Sequence, residues 1–147
     1  MINTPLPFTI NDEAMNNIKP TVLVVEDEAL LLRSIVLKLE KGGLNVATAH
    51  SGEEAFDYLE RKTPPDFIWL DYYLEGEMSG VDVIHKLSAH PAWSKIPVIV
   101  VSNTATEAKI DEMLKSGALK YFLKAEHLLG EIVEFIWSVL NERTSAS

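Results

Sequence analysis

The sequence predicts a doubly wound α/β domain, a five-stranded parallel sheet with helices on both faces. Three observations predict it. Five short apolar runs recur between residues 21 and 123. Each is followed by a segment with apolar residues at helical spacing. The runs are almost continuously apolar, as in strands buried on both faces, which have no reason to alternate. A chain of 147 residues suits one such domain.

The first run, TVLVV at 21–25, precedes a helix with Leu31, Leu32, Ile35, Val36 and Leu39 on its apolar face, closed by Gly42 and Gly43. LNVATA at 44–49 is the second strand, and Ser51 with Glu54 has capping-box spacing ahead of Ala55, Phe56, Tyr58 and Leu59. FIWL at 67–70 is the third strand and ends at Asp71; a loop then leads to VDVIHKLSAH, which Pro91 stops. IPVIVV at 96–101 is the fourth, followed by a helix carrying Ala108, Ile110 and Leu114 and ending near Gly117. KYFL at 120–123 is the fifth, and Leu128, Leu129, Ile132, Ile136, Val139 and Leu140 form the stripe of a last helix. Right-handed crossovers leave few strand orders, and the flavodoxin-like order 2-1-3-4-5 satisfies them. Residues 1–19 are expected to form an extension outside the core, with an accessory strand at Pro5–Ile10 as the alternative; residues 142–147 form a tail.

Composition narrows the function. With 22 Asp and Glu against 13 Lys and Arg, the formal charge is −9 and no basic cluster interrupts the excess. That argues against nucleic acid and anionic membrane surfaces as partners. The absence of cysteine excludes disulfides, thiolate metal sites and thiol catalysis. No signal-peptide pattern or long uncharged apolar stretch is present, so a cytoplasmic location is expected.

In an open α/β sheet, ligands bind beyond the carboxyl ends of the strands. The residues there are Glu26 and Asp27 after strand 1, Asp71 after strand 3, Ser102 and Asn103 after strand 4, and Lys124 after strand 5. Taken singly, each acid reads as a helix cap or loop residue, Ser102 as a turn residue and Lys124 as a solvated charge. In the predicted order, however, they meet at one edge. Three close carboxylates raise one another's pKa unless a cation joins them, and Mg²⁺, which prefers oxygen ligands, suits Asp27 and Asp71, with Glu26 acting through water. Two acids after strand 1 repel a bare phosphate, so the chemistry suggested is metal-assisted phosphoryl transfer to Asp71. Lys124 and Ser102 would then stabilise the phosphoryl oxygens.

VLVVEDE at 22–28, Asp71 after FIWL, Ser102 after IPVIVV and GALKYFLK at 117–124 together resemble the receiver domain of two-component response regulators, over about residues 20–141. The resemblance implies that Asp71 accepts a phosphoryl group from a histidine kinase or histidine phosphotransfer protein. It implies that Glu26, Asp27, Asp71 and the Tyr73 carbonyl hold Mg²⁺, and that Lys124 neutralises the phosphoryl group. Ser102 matches the switch hydroxyl and Tyr121 the aromatic that follows it. Output would pass to a downstream target protein through a face built from about Ala105–Leu140, with the protein a monomer or a phosphorylation-dependent dimer. Trp69, Trp93 and Trp137 read as packing groups, Trp137 with a place on that face as the alternative, and the four histidines as surface or helix-end residues.

Three departures from the family pattern stand out. Ala125 replaces the usual proline after Lys124, leaving the isomer of that peptide bond open. Leu74–Glu75 and a Gly80 one residue late alter the loop after Asp71, and Tyr72 and Tyr73 add bulk beside the acceptor. A stand-alone receiver is expected. The rivals are a pseudo-receiver interaction module and a Mg²⁺-dependent Asp-nucleophile phosphatase, the latter weakened by Tyr73 where a second Asp belongs.

Overall fold

A computed structural model describes residues 18–103, 106–124 and 129–146, with side chains to Arg143. Pro5–Ile10, Thr104, Ala105, the Lys124–Ala125 bond, His127 and Leu128 lie outside these residues. The elements alternate along the chain as β1 Thr21–Val25, α1 Ala29–Lys41, β2 Asn45–Ala49, α2 Gly52–Arg61, β3 Phe67–Asp71, α3 Gly80–Ala89, β4 Val98–Ser102, α4 Glu107–Lys115, β5 Lys120–Leu123 and α5 Leu129–Ala146. The sheet has the expected order β2-β1-β3-β4-β5, and every pairing is parallel.

The pleat divides the core. Val22, Val24, Phe67, Trp69, Ile99, Val101 and Phe122 pack beneath Leu32, Ile35 and Leu39 of α1 and Ile132, Ile136 and Leu140 of α5. Their strand neighbours Leu23, Val25, Ile68, Leu70, Val98 and Val100 face the other way, against Phe56 and Leu59 of α2, Val83, Ile84 and Leu87 of α3 and Met113 of α4. Among the described residues, Trp69 Nε1 and Ser102 Oγ are the buried side-chain polar atoms without a hydrogen-bond partner.

Several sequence expectations shift in detail. β4 begins at Val98 and not Ile96, because Pro97 has no N–H to give a ladder; its carbonyl still accepts from Ile68 N at 2.9 Å. Ser102 therefore ends the strand instead of following it. At α2, Ser51 Oγ accepts from Glu54 N, but the Glu54 carboxylate turns to His50 N, so the box is not closed. A reciprocal capping box forms instead at α3, between Ser79 and Asp82, and the Ser79 N–H holds the Asp82 carboxyl below its usual range. Trp137 donates to Gly42 O at 2.7 Å, so its indole N–H ties α5 to the end of α1 and is not offered to a partner.

In α4 the expected core positions are wrong. Leu114 is 41% exposed, Ala108 is exposed and Ile110 is half-buried, while Met113 is fully buried. The inward position falls one residue before Leu114, and the unbranched thioether of Met113 packs there against the core. Met113→Ala should cost about 2–5 kcal/mol, against about 0.5 kcal/mol for Leu114→Ala, as read by urea denaturation.

Candidate functional site

All five strands point the same way, so their carboxyl ends share one edge. Extending the pleat by one step beyond the core decides which side each polar residue takes. Glu26, Asp71 and Lys124 continue the rows of Val24, Trp69 and Phe122, above α1 and α5, whereas Ser102 and Tyr121 belong to the rows of the α2–α4 side.

Glu26, Asp27 and Asp71 each bring a carboxylate oxygen within 4.8 Å of the others. Glu26 is 1% exposed and Asp71 6%. Lys124 reaches them from β5, its Nζ lying 3.1 Å from Glu26 Oε1 and 3.5 Å from Asp71 Oδ2. Its backbone is fixed by Lys124 N donating to Ser102 O at 2.8 Å. The second Glu26 oxygen accepts from Glu28 N at 3.1 Å, so both oxygens of this carboxylate have protein partners. Burial, and then the charge of Glu26, push the Asp71 carboxyl up to about 7, while Lys124 and the Tyr73 N–H, 3.3 Å from Oδ1, hold it down.

Three hard oxygen donors around a shared point, with one ammonium beside them, fit a small divalent cation. Asp27 and Asp71 are the direct candidates. The full engagement of Glu26 favours its action through a water.

The predicted residues Glu26, Asp27, Asp71 and Lys124 thus converge. Ser102 Oγ is fully buried on the opposite side of the sheet, and the Tyr121 phenol stands close enough to feel it: burial pushes that phenol up and the Ser102 hydroxyl acts against the rise. For Tyr73, its N–H reaches Asp71 Oδ1, and its ring stands at the surface.

The loop after β3 is held by contacts that sequence reading missed. Asp27 Oδ2 accepts from Glu75 N at 3.1 Å, and Glu53 Oε2 accepts from Glu77 N at 3.1 Å. Gly76 takes φ +97°, and at Gly80 a Cβ would stand 2.7 Å from Tyr72 O, so the first residue of α3 must be glycine to approach the end of β3. Lys109 of α4 donates to the Tyr73 phenol, and that hydrogen bond pushes its ammonium above the ordinary range. These ties join segments 24 to 48 residues apart, and no local motif announces them.

Comparison with known proteins places this arrangement. The response regulator receiver domain family matches residues 22–134, and the chain belongs to that family. The alginate biosynthesis transcriptional regulatory protein AlgB of Pseudomonas aeruginosa is 36% identical over 103 residues, which cover 70% of this chain and 22% of AlgB. This chain therefore spans about a fifth of that relative. A response regulator from Thermotoga maritima superposes with a TM-score of 0.72 at 29% identity, covering 84% of this chain and 99% of that one. The Mn²⁺-bound form of the response regulator Rcp1 shares the fold at 23% identity, with a TM-score of 0.71 over 81% of this chain and 92% of that one. No helix among the described residues is long and apolar enough to cross a membrane.

The raised Asp71 pKa has a consequence for stability. An unfolded carboxyl titrates near 3.8 and the folded one near 7, so between those values the folded protein binds the extra proton and loses stability as pH rises. Asp71→Asn should therefore stabilise the metal-free protein at pH 8, by on the order of 1 kcal/mol or more, in thermal melts. The advantage should shrink when Mg²⁺ is added, because the variant loses a ligand.

Proposed function

We propose that residues 20–141 act as a phosphoacceptor receiver in which Asp71 takes a phosphoryl group from a histidine kinase or a histidine phosphotransfer protein. The observation that carries this reading is the convergence of Glu26, Asp27 and Asp71 oxygens within 4.8 Å, with the Lys124 ammonium 3.1 Å from one of them. Family membership supports it, as does the metal-bound form of Rcp1.

An Asp71 oxygen attacks phosphorus in line as the phosphorus–nitrogen bond of the phosphohistidine breaks. An acyl phosphate forms, and the electron pair leaves with the imidazole. Asp27, Asp71 and the Tyr73 carbonyl, with Glu26 through a water, would hold Mg²⁺, which would supply positive charge for the phosphoryl oxygens. Lys124 exchanges its contact with Asp71 for a phosphoryl oxygen. Ser102, its hydroxyl buried at the end of β4, donates to another, and Tyr121 follows into the space that its movement opens.

The resulting change is read on the α4–β5–α5 face by a downstream target protein. A groove there of about 690 Å³ includes Leu114, Leu119, Phe135 and Val139. This domain works in the cytoplasm as a monomer or a phosphorylation-dependent dimer, and its acidic charge gives it no affinity of its own for nucleic acid or anionic membrane. It is not a turnover enzyme; it promotes only its own phosphorylation and dephosphorylation.

Incubation with acetyl phosphate and Mg²⁺ should add the mass of one phosphoryl group, and neither Asp71→Asn nor excess EDTA should allow it. Sustained hydrolysis of phosphate esters would instead establish the phosphatase reading, and an unlabelled wild type the pseudo-receiver. Lys124→Met should reduce labelling at least tenfold.

A further inference from the structure

The sheet edge opposite the acidic cluster carries a feature that phosphoacceptor chemistry does not use. There, at the amino ends of β1, β3 and β4, a cavity of about 470 Å³ opens against the last turns of α5. Its lining includes Ile96 and three prolines, Pro20, Pro65 and Pro97, which have no N–H to offer. Lys19, Lys95 and Arg143 contribute cationic groups, against Asp66 as the single acid among its described lining residues. Asp66 Oδ2 accepts from Thr21 N at 2.8 Å, and Arg143 donates to Lys95 O at 2.9 Å. Among the described residues, the ammonium groups of Lys19 and Lys95 have no ion-pair partner. In a chain of formal charge −9, a locally cationic and apolar hollow is out of character. It also adjoins the groove beside Leu119 and Phe135, with which it shares Lys95, Ile96, Pro97 and Arg143.

The chain enters the domain at this cavity. Ile18, 75% exposed, and Lys19 belong to its wall. Lys19 O accepts from Asn45 Nδ2 at 3.3 Å and Pro20 O from Asn45 N at 2.9 Å, so the backbone is pinned where it arrives. Whatever precedes Ile18 therefore starts beside the hollow. Residues 1–17, outside the described residues, contain Asp12 and Glu13 and no lysine or arginine, a charge opposite to that of the cavity. Leu6, Phe8 and Ile10 alternate with Pro7 and Thr9, the spacing that sets three apolar side chains on one side of an extended segment. Ten residues separate Phe8 from Ile18, a reach of up to about 35 Å when extended. Length, charge and apolar pattern thus all match.

We propose that residues 1–17 are the occupant of this hollow: the segment folds back on the sheet edge it leaves, setting Leu6, Phe8 and Ile10 against the prolines and Ile96, and Asp12 and Glu13 near Lys19 and Lys95. So placed, it is an intramolecular competitor for any partner that uses the adjoining groove. A short tether holds such a segment at an effective concentration on the order of 1 mM, so contacts too weak to retain a free peptide suffice to seat it. The inference is independent of whether Asp71 takes a phosphoryl group.

The test uses the full chain. Because it has no cysteine, Asn3→Cys accepts a single nitroxide, whose unpaired electron broadens the NMR signals of nearby amides. In dilute, isotope-labelled protein the amides of Ile96 and Leu119 should broaden. Phe8→Asp should abolish that broadening, and so should Lys19→Glu combined with Lys95→Glu; adding Asp12→Lys and Glu13→Lys to the latter pair should restore it, since the charges then match again. Unchanged signals from the strand residues Leu23, Ile68 and Val100 show that each variant keeps its fold. Wild type without broadening overturns the proposal. Broadening that survives both Phe8→Asp and the lysine reversal reports mere nearness of the tether and overturns it as well. When nitroxide-bearing chains without isotope are mixed with isotope-labelled chains without nitroxide, no broadening should appear. Broadening confined to that mixture makes a second copy the occupant and overturns the intramolecular seat.

Discussion

The structure is organised around an electrostatic conflict. Two buried carboxylates, Glu26 and Asp71, and a third at their margin, Asp27, share one end of the sheet with the ammonium of Lys124. Burying like charges costs free energy even when one cation is present, and the high pKa of Asp71 expresses that cost. The core beneath these acids is closed by Val24, Trp69 and Phe122. A site kept short of positive charge is suited to a cation.

The pleat explains how one sheet edge can hold two kinds of residue without confusion. Charged groups rise from the rows that pack on α1 and α5, while Ser102 and Tyr121 rise from those that pack on α2–α4. Adjacent strands keep the two sets close, and Lys124 N donating to Ser102 O joins them through backbone at 2.8 Å. A change of charge on one side therefore has a short mechanical route to the other, through a pair of strand ends and not through a long chain of side chains.

Much of this was legible because it depends on periodicity and strand order. The runs around Leu23, Ile68 and Val100 identify buried parallel strands, and once their order is given the positions of Glu26, Asp71, Ser102 and Lys124 at one edge follow. What the sequence concealed depends on fine rotation or distant pairing. Met113 and Leu114 are adjacent apolar residues, and only the packed orientation of α4 tells which is inside. Ser51 with Glu54 and Ser79 with Asp82 have the same spacing, yet His50 N captures the Glu54 carboxylate and only the second box closes. Lys109 reads as an ordinary surface lysine until Tyr73 is found beside it.

The loop after Asp71 spans residues 72–79 before α3 begins at Gly80, and a loop of that length carries conformational freedom of its own. Here that freedom meets restraints: Asp27 takes Glu75 N, Glu53 takes Glu77 N, Gly76 supplies the left-handed turn and Gly80 permits the close approach to Tyr72 O. Two of these restraints use carboxylates, and one of them, Asp27, also belongs to the cation-holding cluster. The loop and the metal ligands are consequently not independent parts. Any ion that reorients Asp27 acts on Glu75, and any displacement of the loop is felt by the group that would hold the ion.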